Sequence, residues 1–290
     1  MGVQLHVSSI RGVRRVSKSS PNIEGAGVRL KRAFGPAEVH LLDPFLLLDD
    51  FHSGNPEDYI AGFPWHPHRG METVTYLIRG VVEHEDSTGN KGTINSGDVQ
   101  WMTAGSGILH HEMPREYKGL MQGFQLWVNL PASRKMMSPR YRDVKKEQIP
   151  TFSMNDDVKA KIIAGQIDGV KGPVKDLVVE VEYLDVSILP NKDFRHSVAR
   201  GNNAFAYVFE GGGSFDQQHA NRVKAEHLVI FTDGDEVKVR ADESGVRFLL
   251  VSGRPIAEPV AWGGPIVMNT KEELDIAFAE LQKGEFIRSH

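Results

Sequence analysis

The sequence has 290 residues, of which 40% are hydrophobic and 25% charged, a composition typical of a folded, soluble chain. Its 34 lysine and arginine residues against 38 aspartate and glutamate residues leave a formal net charge of −4. That balance argues against direct nucleic-acid binding, which usually requires a basic excess. The absence of cysteine excludes disulfide scaffolds, thiolate nucleophiles and cysteine-ligated zinc or iron–sulfur centres.

The sequence predicts a cytoplasmic protein without a membrane partner. No apolar run approaches the ~20 residues that a bilayer-spanning helix needs. Residues 1–20 contain Arg11, Arg14, Arg15 and Lys18 but no apolar core behind them, so they lack the pattern of a signal peptide.

Short strands separated by turn residues follow one another along most of the chain. The 29 glycines and 15 prolines supply many turns, for example at 86–90 and 95–98. Strands about 8–12 residues apart, with turn signals between them, are typical of a β-sandwich or barrel. The clearest predicted strands lie at 28–34, 39–42, 45–48, 72–78, 99–102 and 122–130.

The two halves of the sequence resemble each other, which predicts an internal duplication. Residues 76–80 match 207–211, and 95–98 match 232–235, in the same order of strand, glycine, hairpin and Gly-Asp turn. A polar stretch with several prolines separates the halves. The predicted domains are an N-terminal barrel with the site at 1–135, a linker at 136–155, a C-terminal barrel at 156–265, and a segment with a docked helix at 266–290.

The last predicted element is a helix of about 12 residues. Thr270 and Glu273 have the spacing of a capping box, and Gly284 is a natural stop. One apolar face requires packing on a barrel, and it consists of Leu274, Phe278 and Leu281.

Two pairs of residues have the spacing of metal ligands. His66 and His68 flank a proline, which favours an extended backbone, and residues two apart in a strand face the same side. His110 and Glu112 are also two apart, so they share a face while His111 points away. Three histidines and one carboxylate would leave two positions open on an octahedral ion, whose identity this spacing leaves among zinc, copper, iron, nickel and manganese.

The same residues could also have ordinary structural roles, which compete with the hypothesis of a metal site. A single His-X-His pair is common on protein surfaces, and only the combination of two pairs favours a metal site. Glu72 is a ligand, a hydrogen-bond acceptor or an ordinary strand acid, and His84 and Glu85 are read as surface residues of a hairpin. The expected walls of an apolar pocket are Phe63, Trp65 and Trp101.

Two long segments resemble the pirin family, a branch of the cupin superfamily. They are FPWHPHRGMETVTY at 63–76 and GDVQWMTAGSGILHHEMP at 97–114. Residues 42–47, 126–130 and 264–270 also fit the family, so the resemblance covers nearly the whole chain and is sharpest over 41–130.

This resemblance implies an all-β fold of two antiparallel jelly-roll barrels, with one mononuclear divalent metal in the first, usually Fe(II). The family's four ligands correspond to His66, His68, His110 and Glu112. Glu72 is then expected to support the ligands without binding the metal. His111, where many members have alanine, remains an alternative ligand.

The second barrel is expected to hold no metal. His196 stands where a His-X-His pair would begin, but Val198 occupies the second position. No histidine and glutamate pair follows the turn at 232–235 at the corresponding distance. Its expected role is structural support of the first barrel.

The resemblance implies three alternative functions. The preferred one is an iron-dependent dioxygenase that cleaves a flavonol such as quercetin, with Glu112 as the general base. The second is a metal- or redox-responsive transcriptional coregulator, nuclear if eukaryotic, that acts through protein contacts. The third is a sugar-processing cupin, against which the second motif argues. The basic residues to check as a surface for a protein partner are Arg11, Arg14, Arg15, Lys18, Arg29, Lys31 and Arg32.

Overall fold

The chain forms two compact units. The computed structural model describes residues 8–217 and 222–288; residues 1–7 and 289–290, the outer ends of the first and last predicted segments, lie outside the described residues. We call the two bodies the N-terminal unit and the C-terminal unit. The N-terminal unit contains residues 20–149, 176–179 and 256–288, and the C-terminal unit contains 8–19, 150–175, 180–217 and 222–255.

Short strands with frequent turns build both units. The strands, in chain order, are β1 Val13–Lys18, β2 Ser20–Glu24, β3 Val28–Phe34, β4 Phe45–Ser53, β5 Phe63–His68, β6 Met71–Arg79, β7 Val81–Asp86, β8 Lys91–Asn95, β9 Val99–Thr103, β10 Ile108–Pro114, β11 Met121–Asn129, β12 Arg140–Val144, β13 Thr151–Met154, β14 Val158–Ala164, β15 Gln166–Ile167, β16 Val170–Lys171, β17 Val181–Ile188, β18 Asp193–Ser197, β19 Asn203–Ser214, β20 Arg222–Lys224, β21 His227–Phe231, β22 Glu236–Gly253, β23 Ala261–Gly263 and β24 Ile266–Met268. The helices are α1 Val39–Leu42 and α2 Lys271–Lys283.

Two antiparallel sheets form the barrel of the N-terminal unit. The seven-stranded sheet has the order β12-β9-β6-β11-β4-β3-β2, and the four-stranded sheet has the order β5-β10-β7-β8. Along β10, buried and half-buried side chains alternate, because successive residues of a strand face opposite sides. Apolar side chains such as Leu77, Val82 and Ile94 cluster in the core of this unit.

The C-terminal unit is built on one antiparallel sheet of nine strands. Its main order is β1-β21-β19-β22-β17-β14-β13, and β18 and β20 pair with β22 and β19. The 18-residue strand β22 pairs with β17, β18 and β19 along its length. The apolar core of the C-terminal unit includes Val186, Phe194 and Phe248. Together the two units confirm the predicted all-β fold of two barrels.

The predicted linker at 136–155 is wrong. Within it, β12 pairs with β9 at the edge of the seven-stranded sheet, and β13 pairs with β14 in the C-terminal unit. Its prolines, Pro139 and Pro150, each directly precede one of these strands, a position where a residue without an N–H costs no ladder bond.

The predicted domain ends also differ from the structure. Strand β1 was expected in the first barrel but pairs with β21 in the C-terminal unit. Residues 256–265, expected in the second barrel, belong to the N-terminal unit. Short strands carry little information about their partners, because register is decided by pairing between distant segments.

The strand predicted at 39–42 is wrong, and the strand predicted at 45–48 is longer than expected. Residues 39–42 form the single turn α1 instead of a strand. It stops before the Asp43–Pro44 bond, since a residue that precedes proline disfavours the helical region. Strand β4 then continues through Asp49 and Asp50 to Ser53. The Asp49 carboxylate accepts two hydrogen bonds from Arg32, which makes a buried acid tolerable inside the strand.

The predicted C-terminal helix is present as α2 and docks on the N-terminal unit. The Thr270 side chain accepts from the Glu273 amide, and Gly284 ends the helix with a φ of 75°. Ala277 is buried in a cluster with Ile266 of β24. No helix in the described part of the chain has the length and hydropathy needed to span a bilayer.

A buried lysine ties three segments of the N-terminal unit together. Lys135 is 1% exposed, and its ammonium donates to the carbonyls of Gly70 and Val267 at 2.8 and 3.0 Å. It also donates to the side-chain oxygen of Asn129 at 2.6 Å. Gly70 follows β5, Asn129 ends β11 and Val267 lies in β24, so one side chain joins the early, middle and last parts of the unit.

Replacing this lysine should destabilise the fold. In Lys135→Met three buried acceptors lose their donor, so the free energy of unfolding should fall by about 3 kcal/mol. Urea unfolding followed by fluorescence and circular dichroism measures the change. Lys118→Met, at an exposed position, should unfold like the parent protein. An unchanged midpoint for Lys135→Met would contradict this role.

Candidate metal centre

Strand β5 presents two imidazoles to one point. His66 and His68 face the same side, and their Nε2 atoms are 3.1 Å apart. The Nδ1 of His66 lies 2.8 Å from the Pro64 carbonyl, and that of His68 lies 3.2 Å from the Pro265 carbonyl. A carbonyl only accepts hydrogen bonds, so each Nδ1 carries the proton and each Nε2 presents a lone pair.

The third imidazole comes from the neighbouring strand. In the antiparallel pairing of β5 with β10, His110 is directly opposite His66. The His110 ring centroid is 4.4 Å from that of His66 and 5.0 Å from that of His68. One potential ligand atom from each of the three histidines lies within 4.8 Å of the others.

The chemistry of these three groups fits a bound cation. Two Nε2 lone pairs at 3.1 Å repel each other unless a positive charge lies between them. Both ring nitrogens of His110 are buried and have no hydrogen-bond partner among the described residues. Burial, reinforced by the neighbouring imidazoles, lowers the pKa of His68 and His110 well below the usual value. The rings are therefore neutral, which is the form that binds metals.

Glu112, the fourth predicted ligand, is not part of this group of three histidines. The β5–β10 register shifts between His110 and Glu112, and the carboxylate turns toward the seven-stranded sheet. There Oε1 accepts from Thr75 Oγ1 at 3.2 Å and Oε2 accepts from Gln125 Nε2 at 3.1 Å. Its role as a ligand remains a prediction.

Polar residues on four adjacent strands form a line across the seven-stranded sheet, which we call the polar row. Arg32 pairs with Asp49, Asp49 with Gln125, and Gln125 with Thr75. The Gln125 amide is fixed at both ends, since its oxygen accepts from Trp127 Nε1 at 3.0 Å while its nitrogen donates to Glu112. The row therefore holds the Glu112 carboxylate in a defined orientation.

The structure places Glu72 and His111 away from the three histidines. Glu72 is fully buried, and its carboxylate accepts from Trp101 Nε1 at 3.0 Å and from Thr103 Oγ1 at 2.5 Å. It lies an odd number of residues from Thr75 on β6 and so faces the other side of the sheet. His111 stacks on Trp65 at 4.7 Å, turned away from His110.

His84 was expected at the surface and is instead buried in the barrel. It is 4% exposed, pairs across the strands with Glu112 and stacks on Tyr141 at 5.9 Å. Burial lowers the pKa of His84. Glu85, the next residue, lies at the surface as expected, in accord with the alternation along β7.

A cavity of about 680 Å³ opens beside His66 and His68, a size typical of small-molecule sites. Phe63 and Trp65 line it, as predicted. Trp101 does not, because it lies with Glu72 on the other face of the seven-stranded sheet, where its Nε1 donates to that carboxylate. Trp262, Asp49 and Gln125 also line the cavity, together with Trp127, and no sequence motif marks the first three.

The basic residues considered as a partner surface are not all available. Arg11 is 1% exposed and donates to the carbonyls of Asn202, Thr232 and Ala199 within the C-terminal unit. Arg32 is bound to Asp49. In the C-terminal unit, His196 lies 2.8 Å from a Glu182 carboxylate oxygen. The structure thus gives these three side chains partners inside their own units.

Comparison with known proteins identifies relatives over nearly the whole chain. The Pirin family profile matches residues 27–128, and the Pirin C-terminal cupin domain profile matches residues 183–287. The pirin-like protein of Caulobacter vibrioides is 44% identical over 278 residues, which cover 96% of this chain and 99% of that protein.

Solved structures share the fold. A quercetin 2,3-dioxygenase from Acinetobacter baumannii has a TM-score of 0.89 and 32% identity, covering 96% of this chain and 99% of that one. A bacterial pirin from Escherichia coli in complex with nickel(II) has a TM-score of 0.64 and covers 83% of this chain and 99% of its own. At 21% identity this second likeness shows the fold alone.

Substitution of His110 should abolish metal binding. In His110→Ala the ring that completes the group is lost, so the bound metal should fall from one ion per chain to below about a tenth. Elemental analysis after preparation without metal-affinity resin measures it. His111→Ala, which alters the adjacent ring on the opposite face, should keep its ion. Equal metal content in parent and His110→Ala would exclude this site.

Proposed function

The chain belongs to the pirin family, and we propose that its N-terminal unit is a metal-dependent dioxygenase site that cleaves a flavonol such as quercetin. The observation that supports this most directly is the cavity of about 680 Å³ with aromatic walls beside the three histidines. The similarity to the Acinetobacter baumannii quercetin 2,3-dioxygenase over 96% of the chain supports the same reaction.

We propose that His66, His68, His110 and Glu112 hold one divalent ion, with Fe(II) as the expected metal. Two neutral Nε2 lone pairs 3.1 Å apart, with His110 beside them, support a bound cation at this position. When bound, such an ion acts as a Lewis acid that lowers the pKa of a coordinated hydroxyl group and provides positions for small molecules. A divalent ion bound by three neutral imidazoles and one carboxylate would have a net charge of +1. That charge favours an anionic substrate.

The residues of the chain would bind and orient the flavonol. Trp127 and Trp262 have their ring centroids 5.9 Å apart along the cavity and offer flat surfaces to planar aromatic rings. The Trp127 ring also meets His68 edge-on at 5.2 Å, which restricts rotation of that imidazole. A flavonol between these walls would direct its 3-hydroxyl and 4-carbonyl groups toward the histidines.

Glu112 would accept the proton of the 3-hydroxyl group. Its carboxylate is the acid nearest to His110 on β10, and the bonds from Thr75 and Gln125 fix the direction of its remaining lone pairs. The flavonolate then reacts with dioxygen, its central ring opens, and carbon monoxide is released. A pirin acting as a coregulator would bind metal without this reaction, and the following experiment separates the two.

Oxygen uptake with quercetin tests the proposal. Iron-loaded parent protein should consume oxygen, and Glu112→Gln should lower kcat about 100-fold, because an amide cannot take the proton. The matched control Glu85→Gln, on the adjacent strand at the surface, should retain parental activity. No uptake above background by the fully loaded parent, with every flavonol tried, would exclude the enzyme and favour a regulator.

A further inference from the structure

We infer that Glu24 and Asp49 select flavonols that carry phenolic hydroxyl groups remote from the reacting 3-hydroxyl group. This inference rests on the proposed function, since it specifies the substrate of the same cavity. Both residues line the cavity with His66 and His68, together with Arg32. The three charged side chains form a cluster on a wall that is otherwise largely apolar.

The polar row shows how far this cluster lies from the reacting end. Glu112 bonds to Thr75 and Gln125, while Asp49 is the cross-strand neighbour of Gln125 on the other side. Neighbouring strands are about 5 Å apart, so Asp49 lies one strand spacing beyond Gln125 and Arg32 two. Measured along this row, the cluster therefore begins about 5 Å and ends about 10 Å beyond Gln125, within reach of the outer rings of a flavonol whose 3-hydroxyl group lies at Glu112.

The cluster offers carboxylate acceptors, and two of the three guanidinium nitrogens of Arg32 already donate within it. Arg32 Nε and Nη2 donate to the two Asp49 oxygens at 2.8 and 2.7 Å, and Nη2 also donates to Glu24 Oε1 at 2.9 Å. Asn22 gives a further hydrogen bond to the same oxygen at 2.8 Å. Among the described residues, none donates to Glu24 Oε2. A ligand that satisfies Glu24 Oε2 must therefore bring a hydrogen-bond donor of its own.

The net charge of the cluster further restricts which ligands can bind there. One guanidinium and two carboxylates give the cluster a net negative charge, which disfavours carboxylated or sulfated ligands at this end of the cavity. Neutral phenolic hydroxyls donate to carboxylates without that repulsion, in hydrogen bonds strengthened by the charge of the acceptor. Quercetin carries such groups on both of its outer rings, whereas 3-hydroxyflavone has the reacting groups and lacks the others.

Anaerobic binding measurements test this selectivity without turnover. Protein prepared with its own metal is titrated with quercetin and with 3-hydroxyflavone, and the quenching of tryptophan fluorescence gives the two Kd values. The parent should bind quercetin at least tenfold more tightly, although 3-hydroxyflavone is the more apolar ligand. Glu24→Leu should reduce this preference to threefold or less and leave the Kd of 3-hydroxyflavone within twofold of the parent value.

Two variants serve as checks. The Glu24 side chain is 40% exposed, so its replacement does not threaten the fold as a change of Asp49 would, and Glu24→Ser must reproduce the loss. Glu116→Leu, at an exposed acid that does not line the cavity, should keep the parental preference. No preference in the parent, or an unchanged preference in both Glu24 variants, would overturn the inference.

The outcome is separable from that of the oxygen-uptake experiment. A tenfold preference that depends on Glu24, in a protein without oxygen uptake, supports a polyphenol-binding cavity and excludes the oxygenase. Oxygen uptake with equal affinity for the two flavonols excludes selection by Glu24 and leaves the oxygenase intact.

Discussion

The pairing of β5 with β10 is the constraint on which the candidate site depends. It places His110 opposite His66, and the proline between His66 and His68 keeps the backbone extended, so three imidazoles converge. Within the described part of the chain, neither ring nitrogen of His110 has a hydrogen-bond partner there. Burial keeps His68 and His110 neutral. A bound cation would relieve the repulsion between the lone pairs, and it would then stabilise this corner of the barrel as well as supply its chemistry.

The seven-stranded sheet contributes the groups that orient the Glu112 carboxylate and form a wall of the cavity. Its polar row crosses the strands from Arg32 to Thr75, and Gln125 in the middle connects two functions. Its nitrogen holds the Glu112 carboxylate, and its oxygen is held by Trp127. The group proposed to move a proton and a wall proposed to bind the substrate are thus joined through one amide. Such networks act as units, so a change at Gln125 would affect both.

Local sequence patterns predicted that His66 and His68 face the same side, because the causes of this arrangement are local. Alternation along a strand and the effect of proline operate over two or three residues, and this was enough to place the imidazoles of His66 and His68 on one face. The position of Gln125 next to Asp49 depends on the register between distant strands, which no local pattern contains. Trp101 was assigned to the cavity wall because an apolar strand residue looks the same whether it faces the core or a pocket. The prolines that begin the edge strands β12 and β13 likewise resembled those of a linker.

Each unit is completed by a piece from the opposite end of the chain. Strand β1 belongs to the C-terminal unit, and the segment with Trp262, Pro265 and α2 belongs to the N-terminal unit, where the Pro265 carbonyl faces His68. During translation, therefore, the candidate ligands are made early but lack one side of their enclosure until the segment around Pro265 has been made. A gene cut between the two β-rich halves would leave both products incomplete, so recombination cannot exchange these halves as independent modules. The repeats suggest a duplication, but in this chain each unit now needs a segment from the other half of the sequence.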